Sequence, residues 1–226
     1  LQIRFWLLLL LLQSAAPLQA ESPRHQYFTT PDGLRLHYLE AGSGSNTLVF
    51  IPGWMMPAEV FNQQVQALSK QYRVIAFDPR SQGRSMVCPG SHAPKVRNQD
   101  LRQLLQVADP GRLILAGWSL GVLEILDFLS HSPPKNLAGL ILIDNSIGFG
   151  PPPQNRSSPS PSTTSRSEKL RAFVAGLTKK PIPTPLFETI HRSTLQIPES
   201  AAQELVRKPY NRDYWRKTLL KQDVPV

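Results

Sequence analysis

The sequence predicts an α/β domain with a mostly parallel sheet flanked by helices. Three observations predict it. Short apolar runs of β-branched character alternate with stretches of helical periodicity. Their spacing is that of βαβ units. An antiparallel-looking pair precedes the alternation. A chain of 226 residues is long enough for one domain of ordinary size. Its 41% hydrophobic content excludes a wholly disordered or collagen-like chain and a multi-pass membrane protein. The single cysteine, Cys88, excludes a disulfide scaffold and a Cys-based zinc knuckle.

The elements follow in order. Thr30-Pro31-Asp32-Gly33 is a turn, and Leu34 to Glu40 then alternates apolar and polar residues as a half-buried strand does. After Gly42-Ser43-Gly44-Ser45, Thr47-Leu48-Val49-Phe50-Ile51 is continuously apolar, the pattern of a strand covered on both faces, and Pro52-Gly53 stops it. Ala58 to Ser69 carries Val60, Phe61, Val65 and Leu68 at helical spacing. Tyr72 to Phe77 is a strand, followed by the loop Asp78 to Ser85. Asn98 to Val107 reads as a helix, Leu113 to Ala116 as a strand, Leu120 to Leu129 as a helix and Leu137 to Ile143 as a strand.

The two ends read differently from this core. Arg4, the apolar run Phe5 to Leu12 and the small residues up to Ala20 have the layout of a secretory signal peptide, residues 1–20, cleaved after Ala20. The run is far shorter than the about 20 residues that span a bilayer. The expectation is therefore an exported protein, periplasmic or secreted, with no stable membrane span after cleavage. The core is expected over residues 21–147. From Gly148 the chain turns rich in Pro, Ser and Thr, notably Pro151-Pro152-Pro153 and Ser157 to Ser167, the composition of a flexible linker. Short proline-separated helices are expected at 170–177, 185–190 and 201–206, with a basic helix-like stretch at 214–220. Residues 151–226 carry 13 basic and 6 acidic side chains, so most of the net charge of +9 sits there. No face combines basic and aromatic residues in the way nucleic-acid binding requires. Val224-Pro225-Val226 reads as the opening of a further core strand, residues 221–226. A domain seldom stops there, so truncation is expected.

Gly117-Trp118-Ser119-Leu120-Gly121 fits G-x-S-x-G between a buried strand and a helix. In that setting the turn lifts the serine hydroxyl above the sheet at a helix N-terminus, where N–H groups favour a developing anion. The flanking glycines keep the turn clear of the neighbouring strand and helix. With this motif in place, the chain resembles the α/β-hydrolase fold family of serine carboxylesterases, lipases and C–C bond hydrolases, over about residues 27–146. Asp32-Gly33 is similar to that family's first hairpin, and Phe50 to Trp54 to its strand followed by His-Gly. Asp78-Pro79-Arg80-Ser81-Gln82-Gly83-Arg84-Ser85 resembles its Asp-x-Arg-Gly-x-Gly-x-Ser loop, with Ser81 at the first glycine.

The resemblance implies Ser119 as nucleophile, with the backbone N–H groups of Trp54 and Leu120 as oxyanion donors. Pro52 stands where the family has His. It also implies that Asp78, Arg80 and Ser85 hold a loop, and that residues 148–220 form a linker and helical cap. A Ser-His-acid triad needs an acid and then a histidine downstream. Asp144, ending a strand on the catalytic edge, is the candidate acid within this sequence, but the favoured reading is a strand-end Asp that makes loop hydrogen bonds. His131 follows the elbow helix about 15 Å away along its axis, and His191 lies in the proline-broken region, so neither is expected to serve. The last strands, with acid and histidine, are thus expected to be missing. The expected function is cleavage of small esters or related acyl compounds through an acyl-enzyme on Ser119, with no metal and no organic cofactor. The alternatives are an acyltransferase, a C–C bond hydrolase or a non-catalytic remnant.

Overall fold

The computed structural model describes residues 22–147, 164–206 and 210–226. The expected leader and most of the Pro/Ser/Thr-rich linker therefore lie outside the described residues. Six strands, β1 (Arg24–Thr29), β2 (Arg35–Ala41), β3 (Asn46–Ile51), β4 (Arg73–Asp78), β5 (Arg112–Trp118) and β6 (Leu137–Ile143), form one sheet in the order β1-β2-β4-β3-β5-β6. The β1–β2 and β2–β4 pairs are antiparallel, and β4, β3, β5 and β6 run parallel.

The continuous apolar runs are explained by what covers each face. Alternate residues Val49, Ile51, Ile75, Phe77, Leu113 and Leu115 face helices α2 (Pro94–Ala108) and α3 (Leu120–His131), through Leu101, Leu104, Ile125 and Phe128. Their neighbours Leu48, Phe50, Val74, Ala76 and Ala116 face Phe61 and Val65, from the short turn Ala58–Phe61 and helix α1 (Asn62–Leu68). A strand sandwiched this way has no polar face to alternate with. β1 shows the converse: only Phe28 along it is buried, so it left no periodic signature, and its pairing with β2 alone makes it a strand.

Three helices pack over the loop that follows β3: α4 (Arg166–Ala175), α5 (Thr184–Gln196) and α6 (Glu199–Leu205). Their apolar side chains Val174, Ile190, Ala201 and Ala202, with Ile197 between α5 and α6, pack on Met55 and Met56 of the loop after β3. The linker-like composition does not extend to Ser167 in structure. Ser165 caps α4, its hydroxyl accepting from the Glu168 amide while the Glu168 carboxylate accepts from the Ser165 amide. Helix α5 also runs six residues past the expected end at Ile190. Its extra turns bury Ser193 and Thr194 rather than apolar residues, and hydrophobic periodicity does not register them. Helix α7 (Arg212–Leu220) packs against α3, with Trp215 buried between Val122, Leu123 and Leu126. Beyond it no strand is assigned, but Pro225 O accepts from Leu140 N at 2.9 Å, so the segment lies along β6. Among the described residues no helix is long and apolar enough to cross a membrane.

Candidate active site

Strand β5 lies between β3 and β6, and the reversal into α3 is made at one residue. Ser119 has φ 52° and ψ −112°, a region an L-residue occupies only under strain. Two contacts, from the end of β6 and from the loop after it, hold it there. Its N–H donates to Ile143 O at 2.8 Å, and its carbonyl accepts from Asn145 Nδ2 at 2.9 Å. The flanking glycines are sterically required. A β-carbon on Gly121 would stand 2.2 Å from Ile51 O, and one on Gly117 would stand 2.7 Å from the Gly121 and Val122 backbone. Ser119 is half-buried.

The loop after β3 comes close to this serine. A β-carbon on Gly53 would lie 3.4 Å from Ser119 Cβ, so the strand end and the elbow touch. The turn closes through Met56 N to Gly53 O, with Met55 at φ 62°. Trp54 is fastened by its side chain: Nε1 donates to Ala202 O at 2.8 Å, and its ring meets Phe173 edge-on at 5.3 Å. The cap thus fixes the loop that carries the Trp54 amide. Leu120 is the first residue of α3, where N–H groups have no intrahelical acceptor.

Asp144 follows β6 at φ 55° and is exposed. Among the described residues, no histidine is hydrogen-bonded to Asp144 or to Ser119. His131 is exposed at the end of α3, its Nδ1 2.8 Å from Asp127 O. His191 is buried in the cap, its Nε2 3.1 Å from Ser167 O and its ring near Phe187. Nor is any group of three or more His, Cys, Asp or Glu side chains among the described residues arranged to hold a metal ion.

The loop from Asp78 to Ser85 is built as a brace. The Arg80 guanidinium forks onto Asp100 at 2.6 and 2.7 Å, both side chains almost fully buried. Ser81 adopts φ 65°, as the glycine it replaces would, and its hydroxyl bridges His92 Nε2 and the Cys88 amide. Asp78 is fully buried: Oδ1 accepts from the Ala58 amide, and Oδ2 from the Arg84 amide, with His37 Nδ1 2.6 Å away. Burial pushes this carboxyl above its ordinary pKa, and the bond with His37 opposes that. His37 in turn lies 2.8 Å from His25. Sequence reasoning missed this His25–His37–Asp78 chain, because its members come from β1, β2 and β4. It also missed Asn145, whose only signal is its place two residues past β6.

Similarity to known proteins places the chain in a family. The chain is 32% identical over 114 residues to a pimeloyl-[acyl-carrier protein] methyl ester esterase of Edwardsiella ictaluri, covering 50% of this chain and 42% of that protein. It is 31% identical over 117 residues to a non-heme chloroperoxidase of Streptomyces lividans, covering 51% and 42%. The chain therefore spans less than half the length of these curated relatives. An esterase from Rhodococcus sp. ECU1013 superposes with a TM-score of 0.71 at 25% identity, over 91% of this chain and 78% of that one. A model of the alpha/beta hydrolase family matches residues 48–221, from within β3 through the elbow and the cap to the end of α7. With that match and the strained serine at the β5–α3 turn, the chain belongs to the alpha/beta hydrolase family.

Proposed function

We propose that this protein is a serine esterase that cleaves carboxylic esters or related acyl compounds through an acyl-enzyme on Ser119. The observation that carries the reading is the backbone of Ser119, φ 52° and ψ −112°, held at the start of a helix by β6. The Ser119 hydroxyl oxygen attacks the ester carbonyl carbon and gives its proton to a general base. The tetrahedral oxygen is held by the N–H groups of Trp54 and Leu120, each donor of this kind contributing about 2.7–4 kcal/mol to lowering the barrier. The intermediate collapses, the C–O bond breaks, and the alcohol leaves with the proton. Water then attacks the acyl-serine and restores the hydroxyl. Among the described residues no histidine is hydrogen-bonded to Ser119, and Asp144 is the candidate for the acid that orients the base. Two of the three relatives named above are esterases, which supports ester cleavage over the chemistry in the third one's name.

In the full-length protein, Ser119→Ala should abolish turnover of p-nitrophenyl esters while leaving the melting temperature within about 2 °C of wild type. Undiminished turnover overturns the proposal. Product analysis with a competing alcohol separates a hydrolase from an acyltransferase on the same serine. Export is proposed from the composition of residues 1–20; the secreted or periplasmic form should begin at Glu21 on N-terminal sequencing.

A further inference from the structure

Away from the elbow, β1, β2 and β4 bring three titratable side chains into one row that ester cleavage does not use. Asp78 and His37 are fully buried, and His25 is exposed. Asp78 Oδ2 lies 2.6 Å from His37 Nδ1, and His37 Nε2 lies 2.8 Å from His25 Nδ1. His25 Nε2 has no hydrogen-bond partner among the described residues, so this end of the row is open to water. Tyr27, opposite His37 in the β1–β2 register, covers its ring at 4.9 Å, and the Arg35 guanidinium lies over Tyr27. The other charged groups that face the row are Arg84, from the loop after β4, and Glu59, from the turn before α1. These two pair with each other at 3.1 Å.

The inner end of the row is an anchor for two loops. Asp78 accepts from the Ala58 amide, just after the loop that carries Trp54, and from the Arg84 amide. Arg84 follows Gly83, whose amide donates to Ser193 Oγ of the cap. A carboxylate accepts such bonds about twice as strongly as a neutral group does, so the protonation state of one buried carboxyl sets the grip on both loops. A fully buried carboxyl exchanges protons with water only when the fold opens, unless hydrogen-bonded groups lead out to the surface. We infer that His25 and His37 are a relay of that kind, carrying protons between solvent and Asp78 while the fold stays closed. With Asp78 ionised, His37 Nδ1–H donates to Oδ2, and His25 Nδ1–H donates to His37 Nε2. A proton from water binds His25 at Nε2. The Nδ1 proton of His25 then passes to His37 Nε2, and the Nδ1 proton of His37 passes to Asp78 Oδ2. Both rings end neutral with a proton on Nε2, the carboxyl ends neutral, and every bond in the row has reversed without setting two donors face to face. Desolvation raises the pKa of Asp78, while partial desolvation and then Arg84 lower that of His25, and both shifts favour the proton at the inner end. Acid thereby loosens the Ala58 and Arg84 amides together.

The test follows the His37 Nδ1 proton of the full-length protein by NMR with 15N-labelled histidine at pH 7.5. The variant is His25→Asn, which puts an amide N–H where Nδ1–H stood and cannot pass a proton on. In wild type the His37 proton should exchange with water about tenfold faster than in the variant, or more. The Ala58 and Arg84 backbone amides should exchange at equal rates in the two proteins, which shows that the fold opens no more often in either. If His25→Asn speeds those amides too, His25→Phe, which covers His37 and carries no proton, replaces it. A wild-type signal lost to exchange that reappears in the variant counts as faster exchange. Between pH 7.5 and 5.0, the protection of the Ala58 and Arg84 amides in wild type, corrected for intrinsic exchange, should fall about fivefold while that of the β5 amides holds. Equal exchange of the His37 proton in wild type and variant, or protection of the two amides that ignores pH, overturns the inference. Neither readout involves ester turnover, so its failure and that of the esterase reading are distinguishable.

Discussion

At the scale of single residues, the elbow works because backbone groups stand closer together than a side chain permits. The Gly121 position is the tightest, its added β-carbon falling within 2.2 Å of a β3 carbonyl that the sheet holds still. Gly121→Ala should therefore cost about 1–3 kcal/mol of stability and displace Ser119; denaturant melts and ester turnover together would register both effects. The pattern G-x-S-x-G was legible in the sequence, and so was the reason for its glycines. Asn145 was not, because its job of holding the Ser119 carbonyl exists only once β6 lies beside β5. Asp100 is a second such residue. Its carboxylate satisfies a guanidinium that has almost no access to water, and truncation leaves a buried cation without its main partner. Asp100→Ala should cost about 3–5 kcal/mol in urea unfolding. A loss under 1 kcal/mol would mean that Asp32 and the Ser91 carbonyl compensate fully.

At the scale of elements, periodicity read the buried strands and the elbow helix correctly and failed where burial is polar or one-sided. β1 and the second half of α5 are the two cases. In α5 the buried Ser193 accepts from the Gly83 amide, and Gln196 reaches the Gly83 carbonyl, so the cap is bonded to the loop after β4. Those contacts join residues more than a hundred positions apart, which no local pattern encodes. Helix α4 has the opposite character. Its capping box is wholly local, its two residues lying three positions apart in the chain. Ser165→Ala should weaken the first turn of α4 by about 1 kcal/mol, seen as faster hydrogen exchange at the Glu168 and Lys169 amides with little change in the global melt.

At the scale of the whole molecule, charge and burial set a pH dependence. Burial lowers the pKa of His92 below its ordinary value of 6.5; Glu204 opposes this, while Arg80 and Arg97 add to it. A base with a lowered pKa in the folded state leaves the unfolded chain holding more protons between the two values, so stability rises with pH there. The contribution of His92 is thus complete above pH 6.5 and is lost as the pH falls below it. Buried Asp78, Asp100 and Glu124 are shifted upward by desolvation and titrate with the opposite sign, so the informative quantity is a difference. Between pH 7.5 and 5.5 the melting temperature of wild type should fall more than that of His92→Gln. Parallel curves for the two proteins would remove His92 from the account.

The amino-acid sequence determined the order of the buried strands and of the helices between them, and the identity of the strained serine, because apolar periodicity and a five-residue steric pattern are local properties. Only the tertiary structure decided what braces the elbow and how Trp54 is tied to α6. Those features depend on which groups meet after the chain has crossed the sheet several times. Buried polar groups must then be satisfied by whatever partner packing brings to them.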